Sequence, residues 1–238
     1  MISNPSFSSM LLEDKLLYNK GNTTLLGVDG RRTIEFRMGT YFVYIYMGAG
    51  NWNGDNVLKR GMYGCFTDGY MIFGEGTRAI VIHQMGYNGV THIGGAVERR
   101  GRLRYIDGCT DSLLIPPVKM GDPCLNFLHF PTATRQTPHT HPSDRIGIVI
   151  RGQGYCETPF GNSPMWAGQV FIIHPETGEK ALGKDNRFHS VGLHSFRTDV
   201  EELAIVAFHP DSDWGATDLD HPMLNRTYID GVSLRGRE

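Results

Sequence analysis

The sequence predicts an all-β protein whose short strands run antiparallel and close into a barrel. Two observations carry that prediction, and a third permits it. Thirty glycines and twelve prolines among 238 residues suit many strands and turns rather than long helices. Short runs of β-branched and aromatic residues recur between Gly and Pro, the densest being Tyr41, Phe42, Val43, Tyr44, Ile45 and Tyr46. Hydrophobic residues make up 40% of the chain, which is enough for a genuine core.

The N-terminus reads as an exception. Ser8 and Ser9 as caps, then Met10, Leu11, Leu12, Leu16 and Leu17 at helical spacing, predict a short helix. From Thr23 onward the texture is that of strands, over residues 23–28, 33–38 and 41–47, separated by Asp29-Gly30 and Gly39. The third is apolar on both faces, as a strand packed on two sides requires. Residues 48–54 read as a Gly/Asn loop around Trp52. Residues 62–90 alternate glycines with short apolar runs, the clearest strand being 78–83. His83 and His92 stand alone and read as structural histidines.

The charge cluster at 98–104 reads as a solvated turn. Residues 105–108 and 113–115 predict two strands joined by a polar turn. A turn at 121–123 then leads into a strand over 124–130. Alternation there gives Leu125, Phe127 and His129 one face and Asn126, Leu128 and Phe130 the other. His129 reads as a core or lining residue first and a ligand second.

The chain is organised around residues 137–157. His139 and His141 are two apart, so an extended backbone sends both imidazoles to one face, and Pro138 and Pro142 favour that backbone. Such a pair can supply half of a metal site. The apolar run 146–150, stopped by Gly152 and Gly154, predicts a strand ending in a turn, with 153–158 as the return strand and 159–162 as the next turn. Trp166 precedes a turn at Gly168 and a strand over 169–173, ended by His174-Pro175. Residues 175–193 are mostly polar, the texture of a lid or an interface loop. Residues 202–208 form the last clear strand, closed by His209-Pro210. The tail, 211–238, is acidic and then turn-rich, with His221 inside it.

Charge and cysteines narrow the function. A formal charge of −2 and a pI near 6.5 argue against a nucleic-acid or anionic-membrane partner. Cys65, Cys109, Cys124 and Cys156 show no Cys-x-x-Cys spacing, which weakens zinc-ribbon and thioredoxin readings. The first dozen residues lack the form of a signal peptide. No run reaches the roughly 18 apolar residues of a membrane helix. The expectation is a cytoplasmic protein with reduced thiols.

Residues 139–152 read His-x-His-Pro-x-acid-x-Ile-Gly-x-Val-x-x-Gly, followed by Gly154-Tyr155-Cys156-Glu157. This resembles the first signature of the cupin superfamily, antiparallel β-barrels (double-stranded β-helices) that carry a metal inside. Ala167-Gly168-Gln169-Val170-Phe171-Ile172-Ile173 together with His194-Ser195-Phe196-Arg197-Thr198 resembles the second signature, lengthened by about twenty residues. The resemblance covers residues 125–209, about a third of the chain. It implies a cupin-type, jelly-roll-like barrel over 113–238 with a lid-like insertion at 175–193. Residues 1–112 are then a β-rich extension or a degenerate cupin-like half, and the chain's length favours extra strands on a single barrel. Exposed strand edges, which such barrels cover by pairing, point to a homodimer.

The resemblance also implies a divalent metal held by His139, His141 and His194, with His189 as the rival for third place. Fe(II) is the first choice, and Mn, Ni and Zn are the alternatives. Cupins usually supply a fourth ligand, Glu or Gln, shortly after His-x-His, and here Arg145 stands there. Arginine has only donors and cannot ligate. Asp144 is adjacent and should face the other way unless a bulge turns it inward. Arg145 near an ion would favour a bidentate anion, while pairing at the rim with Glu157 or another acid stays open. Three-His iron cupins with a nearby arginine resemble thiol dioxygenases and ring- or diketone-cleaving dioxygenases. The expectation is therefore a metal-dependent oxidoreductase, a non-haem Fe(II) oxygenase acting on a small anionic metabolite. A metal-dependent isomerase or lyase would instead need an acid/base pair, for which Asp144, Tyr155, Glu157 and His209 are candidates. A non-catalytic small-ligand-binding cupin is the third reading.

Overall fold

Strand pairing sorts the chain into two halves that meet across a shared apolar layer. A computed structural model of the chain describes residues 4–212, 228–229 and 232–233. Among these residues the regular elements are strands, apart from one 3-10 turn, Ile106–Gly108. The expected tail with His221 lies for the most part outside the described residues. Only the short pairing of Tyr228–Ile229 with Val232–Ser233 is seen there.

The C-terminal half is one nine-stranded antiparallel sheet curled on itself. Its order runs Phe7–Leu11, Gln169–Ile173, Arg145–Thr158, Leu203–His209, Cys124–Phe130, Thr110–Ile115, Leu103–Arg104, with Gly161–Trp166 and Ser195–Arg197 also paired to Arg145–Thr158. The N-terminal half stacks a six-stranded sheet, centred on Thr40–Met47 and Arg78–Gln84, on a four-stranded one. Phe36, Phe66, Met71 and Phe73 fill its interior.

Side-chain alternation assigns each strand two jobs. In Cys124–Phe130, Leu125 and Phe127 face the layer between the halves, and Leu128 and Phe130 face the barrel interior. Val206 and Phe208 repeat the pattern against Ile205 and Ala207. In the shared layer Phe208 meets Phe42 of the other half, ring centres 4.8 Å apart. Each such fully buried side chain is worth about 1.5–3 kcal/mol. With both faces covered, the central strands read as nearly unbroken apolar runs.

Four local expectations are corrected. The N-terminal helix is instead two strands, Phe7–Leu11 and Leu16–Lys20. All five residues of the first pair with Gln169–Ile173, and Phe7 enters the barrel core against Phe171. That partner was invisible to local spacing, and tertiary pairing overrides a weak helical preference. The loop expected at 48–54 contains a strand, Ala49–Trp52. The strand expected at 105–108 is instead the 3-10 turn, where Asp107 takes a left-handed conformation (φ 54°), and the next strand already begins at Thr110. Finally, Arg145–Thr158 does not stop at its glycines and runs on for 14 residues. Its register slips between Val149 and Arg151, and Gly152 (φ +72°) lets it bend where a Cβ would lie 1.8 Å from the Glu202 carbonyl oxygen. The glycines serve a bulge, which re-aims the strand without ending it.

Candidate metal centre

His139 lies outside the regular strands, in the connection between Cys124–Phe130 and Arg145–Thr158. An isolated bridge to His194 fixes it: each residue's amide donates to the other's carbonyl, at 2.9 and 3.0 Å. Two residues on, His141 turns its ring to the same place. The ring centres lie 4.5 Å (His139–His194), 5.0 Å (His139–His141) and 5.1 Å (His141–His194) apart. One nitrogen from each lies within 4.8 Å of the others.

Two of the three rings are aimed by their own chain. His194 Nδ1 donates to the Gly192 carbonyl at 2.8 Å, and His139 Nδ1 to that of Thr137 at 2.9 Å. A carbonyl only accepts, so both Nδ1 atoms carry the proton and both Nε2 lone pairs are free. The two supporting residues are themselves tied down by distant side chains. Ser6 Oγ accepts the Gly192 amide at 2.9 Å, and Asp107 Oδ2 accepts the Thr137 amide at 2.6 Å.

Burial keeps His141 and His194 neutral. Burial, then Arg145 and the neighbouring histidines, push His141 down to about 2. Burial likewise brings His194 to about 4. His194 Nε2 is buried with no hydrogen-bond partner. Imidazoles with free, converging nitrogens are the donor set a divalent transition metal takes, so the residues fit such an ion.

The cluster opens on a cavity of about 150 Å³ inside the barrel. His139, His141, Arg145, Asp111, Asn126 and Gln136 bring polar atoms to walls otherwise made of residues such as Phe130, Phe171 and Ile205. Arg145 is buried and lies on the inner face, while Ile146 and Ile148 face the layer between the halves. Its Nη1 donates to Ser143 Oγ and, at 3.2 Å, to Asp211. Its Nε has no partner.

No family model matches the sequence, and no curated protein matches it. Solved structures do. A cupin 2 conserved barrel domain protein from Leptotrichia buccalis superposes with a TM-score of 0.56 at 14% identity, covering 89% of this chain and 92% of the other. Protein Ylba from E. coli gives 0.53 at 14% identity, over 89% and 94% of the two chains. The fold is that of the cupin superfamily. A salicylate 1,2-dioxygenase from Pseudaminobacter salicylatoxidans shares it, with a TM-score of 0.54 at 10% identity over 87% of this chain and 71% of that one.

Of the remaining residues singled out from the sequence, all but His209 sit away from this cavity. Asp144 faces away from the cavity, bonded to Lys20 at 2.9 Å and to His174 at 3.3 Å. Burial works against its charge, but those bonds and Lys20's charge bring it down to about 2. Tyr155 lies in a surface groove with its ring under the Arg197 guanidinium, 4.2 Å away. Glu157 bonds Arg197 at 2.6 Å. His189 sits on a hairpin of Lys180–Leu182 with Phe188–Ser190 and bonds Asp185 at 2.8 Å. With His194 it lines a separate cavity of about 690 Å³. His209 lines the barrel cavity, its basicity lowered by burial and by Arg145. His129 bonds Glu202 at 3.0 Å, away from the cluster.

Sequence reasoning passed over Asp111, Asn126, Gln136, Asp107 and Ser6. A signal existed for Asn126, because the alternation of its strand already put it beside Leu128 and Phe130. The pairing of Asp111 opposite Leu128 would have brought in Asp111, had the register been known.

Proposed function

We propose that this cupin is a metal-dependent oxygenase that acts on a small anionic metabolite, with His139, His141 and His194 as ligands of Fe(II). One observation carries the reading: three imidazoles converge, and two of them, His139 and His141, share the wall of a cavity of about 150 Å³ with the buried guanidinium of Arg145. His139, His141 and His194 would hold the ion, which would supply a site for activating dioxygen beside the substrate. Arg145 holds the substrate's carboxylate or enolate beside that site. Phe130, Phe171, Ile173 and Phe196 wall the cavity and keep bulk water from the bound anion. Gly192 and Thr137 fix the ring orientations so that the Nε2 atoms stay aimed inward. The dioxygenase with the same fold has been crystallised as adducts with gentisate, an aromatic carboxylate, which fits this class of ligand.

The insertion fits a lid. Glu176 anchors its base on both sides of His141, its amide bonding the His141 carbonyl at 2.8 Å and its carboxylate taking the Thr140 hydroxyl at 2.6 Å. Two further parts of the reading concern the whole protein. Among the described residues Phe7–Leu11 ends its sheet with one unpaired edge, which suits a homodimer. The four cysteines are free and buried, in keeping with a reducing cytoplasm, and among the described residues no helix is long and apolar enough to cross a membrane.

Anaerobic reconstitution with Fe(II), then oxygen-uptake assays over small carboxylates and thiols, tests the oxygenase. Turnover without oxygen consumption would move the reading to an isomerase or lyase. The buried Asp111 and the half-buried His209, both lining the same cavity, supply the acid/base pair that such chemistry needs.

A further inference from the structure

We propose that the barrel cavity recognises a short carboxylate that also carries a hydrogen-bond donor, a hydroxyl or ammonium group, and that Asp111 and Asn126 read that second group. The proposal rests on Arg145 as the anion's partner and names the substrate class of that site.

Three residues lining the cavity each leave a buried side-chain atom without a partner: Arg145 Nε, Gln136 Nε2 and Asn126 Oδ1. All three residues are more than nine-tenths buried. An orphaned buried polar atom costs about 1–3 kcal/mol, and folded proteins keep few of them. Three around one small cavity outline the polar groups of a ligand.

Their senses differ. Arg145 Nε and Gln136 Nε2 donate, and so ask for an anionic or carbonyl oxygen. Asn126 Oδ1 accepts. Beside it stands Asp111, whose two oxygens take the Asn126 amide hydrogens at 3.0 and 3.3 Å and which, ionised, can only accept. Burial pushes the Asp111 carboxyl up to about 6, so its charge is poorly compensated by the protein alone. A ligand hydroxyl or ammonium would supply the missing compensation.

The sheet separates the two senses in space. Arg145–Thr158, Leu203–His209, Cys124–Phe130 and Thr110–Ile115 are consecutive neighbours, so the cation stands on one side and the two acceptors two and three strands away. At about 4.8 Å per strand, Arg145 and Asn126 belong to backbones about 10 Å apart, and their side chains converge on the cavity between them. A ligand with acceptors alone would leave Asn126 and Asp111 unmet, and one with donors alone would leave Arg145 and Gln136 unmet. Sites built this way reject analogues that lack the matching group. The volume, about 150 Å³, falls well short of the roughly 300 Å³ at which drug-sized sites begin, so the carbon chain is short.

The test is calorimetric titration of full-length protein loaded with Zn(II), which carries no redox chemistry. The probes are matched acids of two, three and four carbons: acetate, glycolate and glycine; propionate, 3-hydroxypropionate and β-alanine; butyrate, 4-hydroxybutyrate and 4-aminobutyrate. At one chain length the hydroxy or amino acid should bind at least tenfold tighter than the plain acid. Asp111→Asn should remove that preference. Equal binding of all three acids at every length overturns the inference and leaves the anion reading standing. Binding of none of them, with zinc still stoichiometric, overturns both. If Asp111→Asn does not melt cooperatively, the wild-type comparison decides alone. Between the two donors, tighter binding of the amino acid identifies ammonium and of the hydroxy acid identifies hydroxyl.

Discussion

Ser6 Oγ accepts the amide hydrogen of Gly192 at 2.9 Å, across 186 positions of sequence. The carbonyl of the same Gly192 takes the proton of His194 Nδ1 at 2.8 Å. A residue preceding the first strand thus aims a ring of the metal cluster through one peptide unit. Gly192 is suited to the post: its φ is +88°, and a Cβ would lie 2.8 Å from the Pro175–Glu176 backbone.

The first prediction follows. Ser6→Ala orphans a buried amide and frees the peptide that holds His194. Outer-shell changes of this kind cost about 10–100-fold in metal affinity, and Ser6→Thr, which restores the hydroxyl, should recover most of it. Competition with a chromophoric chelator measures both, and unchanged affinity in Ser6→Ala would remove Ser6 from the site.

Ala substitution at His139, His141 or His194 should each abolish stoichiometric metal binding. His189→Ala and His83→Ala should leave it intact. His189 is occupied by Asp185 at 2.8 Å, and His83 stacks on Tyr41 at 4.2 Å with Nε2 at 3.0 Å from the Met38 carbonyl. Elemental analysis of the five purified variants decides it; metal lost with His189 and kept without His194 would reverse the choice of third ligand.

What was legible in the sequence is what local pattern encodes. His139 and His141 announce themselves by spacing, and the inward face of Arg145 and outward face of Asp144 follow from alternation. What was not legible depends on partners distant in sequence. Phe7–Leu11 is a strand because Gln169–Ile173 lies open beside it, and nothing near residue 10 says so. Asp111 reaches the cavity through the register of Thr110–Ile115 on its neighbour. Gly152 was read as a stop because a bulge and a turn use the same residue. Tyr155, chosen for its nearness to the motif, lies past that bulge, where the strand has left the cavity wall.

Arg145→Met should leave metal content unchanged and weaken binding of any carboxylate that the cavity takes. Losing a charge-assisted contact to a buried anion costs about 2–5 kcal/mol. Arg145→Lys should recover part of it, since a point charge does not reproduce the guanidinium fork. Asp211, bonded to Arg145 at 3.2 Å, is itself 44% exposed along its side chain, so water can take over its solvation in the variant. Equal loss of metal and of ligand would assign Arg145 a structural role.

The last prediction turns on Asp111 and pH. Its carboxyl is raised from 3.8 to about 6, burial opposing the ionised form more than the Asn126 bonds favour it. Between about pH 4 and pH 6 the folded protein therefore keeps a proton that the unfolded chain has released. Stability contributed by this group is present below that window, is lost as pH rises through it, and does not return above it. At about 1.4 kcal/mol per unit the loss is on the order of 3 kcal/mol. His194 works the opposite way: lowered from 6.5 to about 4, it costs stability as pH falls through that interval. The two oppose each other in the wild type, and His141, lowered to about 2, acts with His194, so a plain pH–stability curve does not isolate Asp111. Asp111→Asn keeps the shape and removes the titration. The variant should match or trail the wild type at pH 4 and exceed it at pH 8 by up to about 3 kcal/mol. Urea unfolding at pH 4, 5, 6 and 8 gives the difference directly, and a difference that stays constant across the series would mean that Asp111 titrates in the folded protein as it does in the unfolded chain.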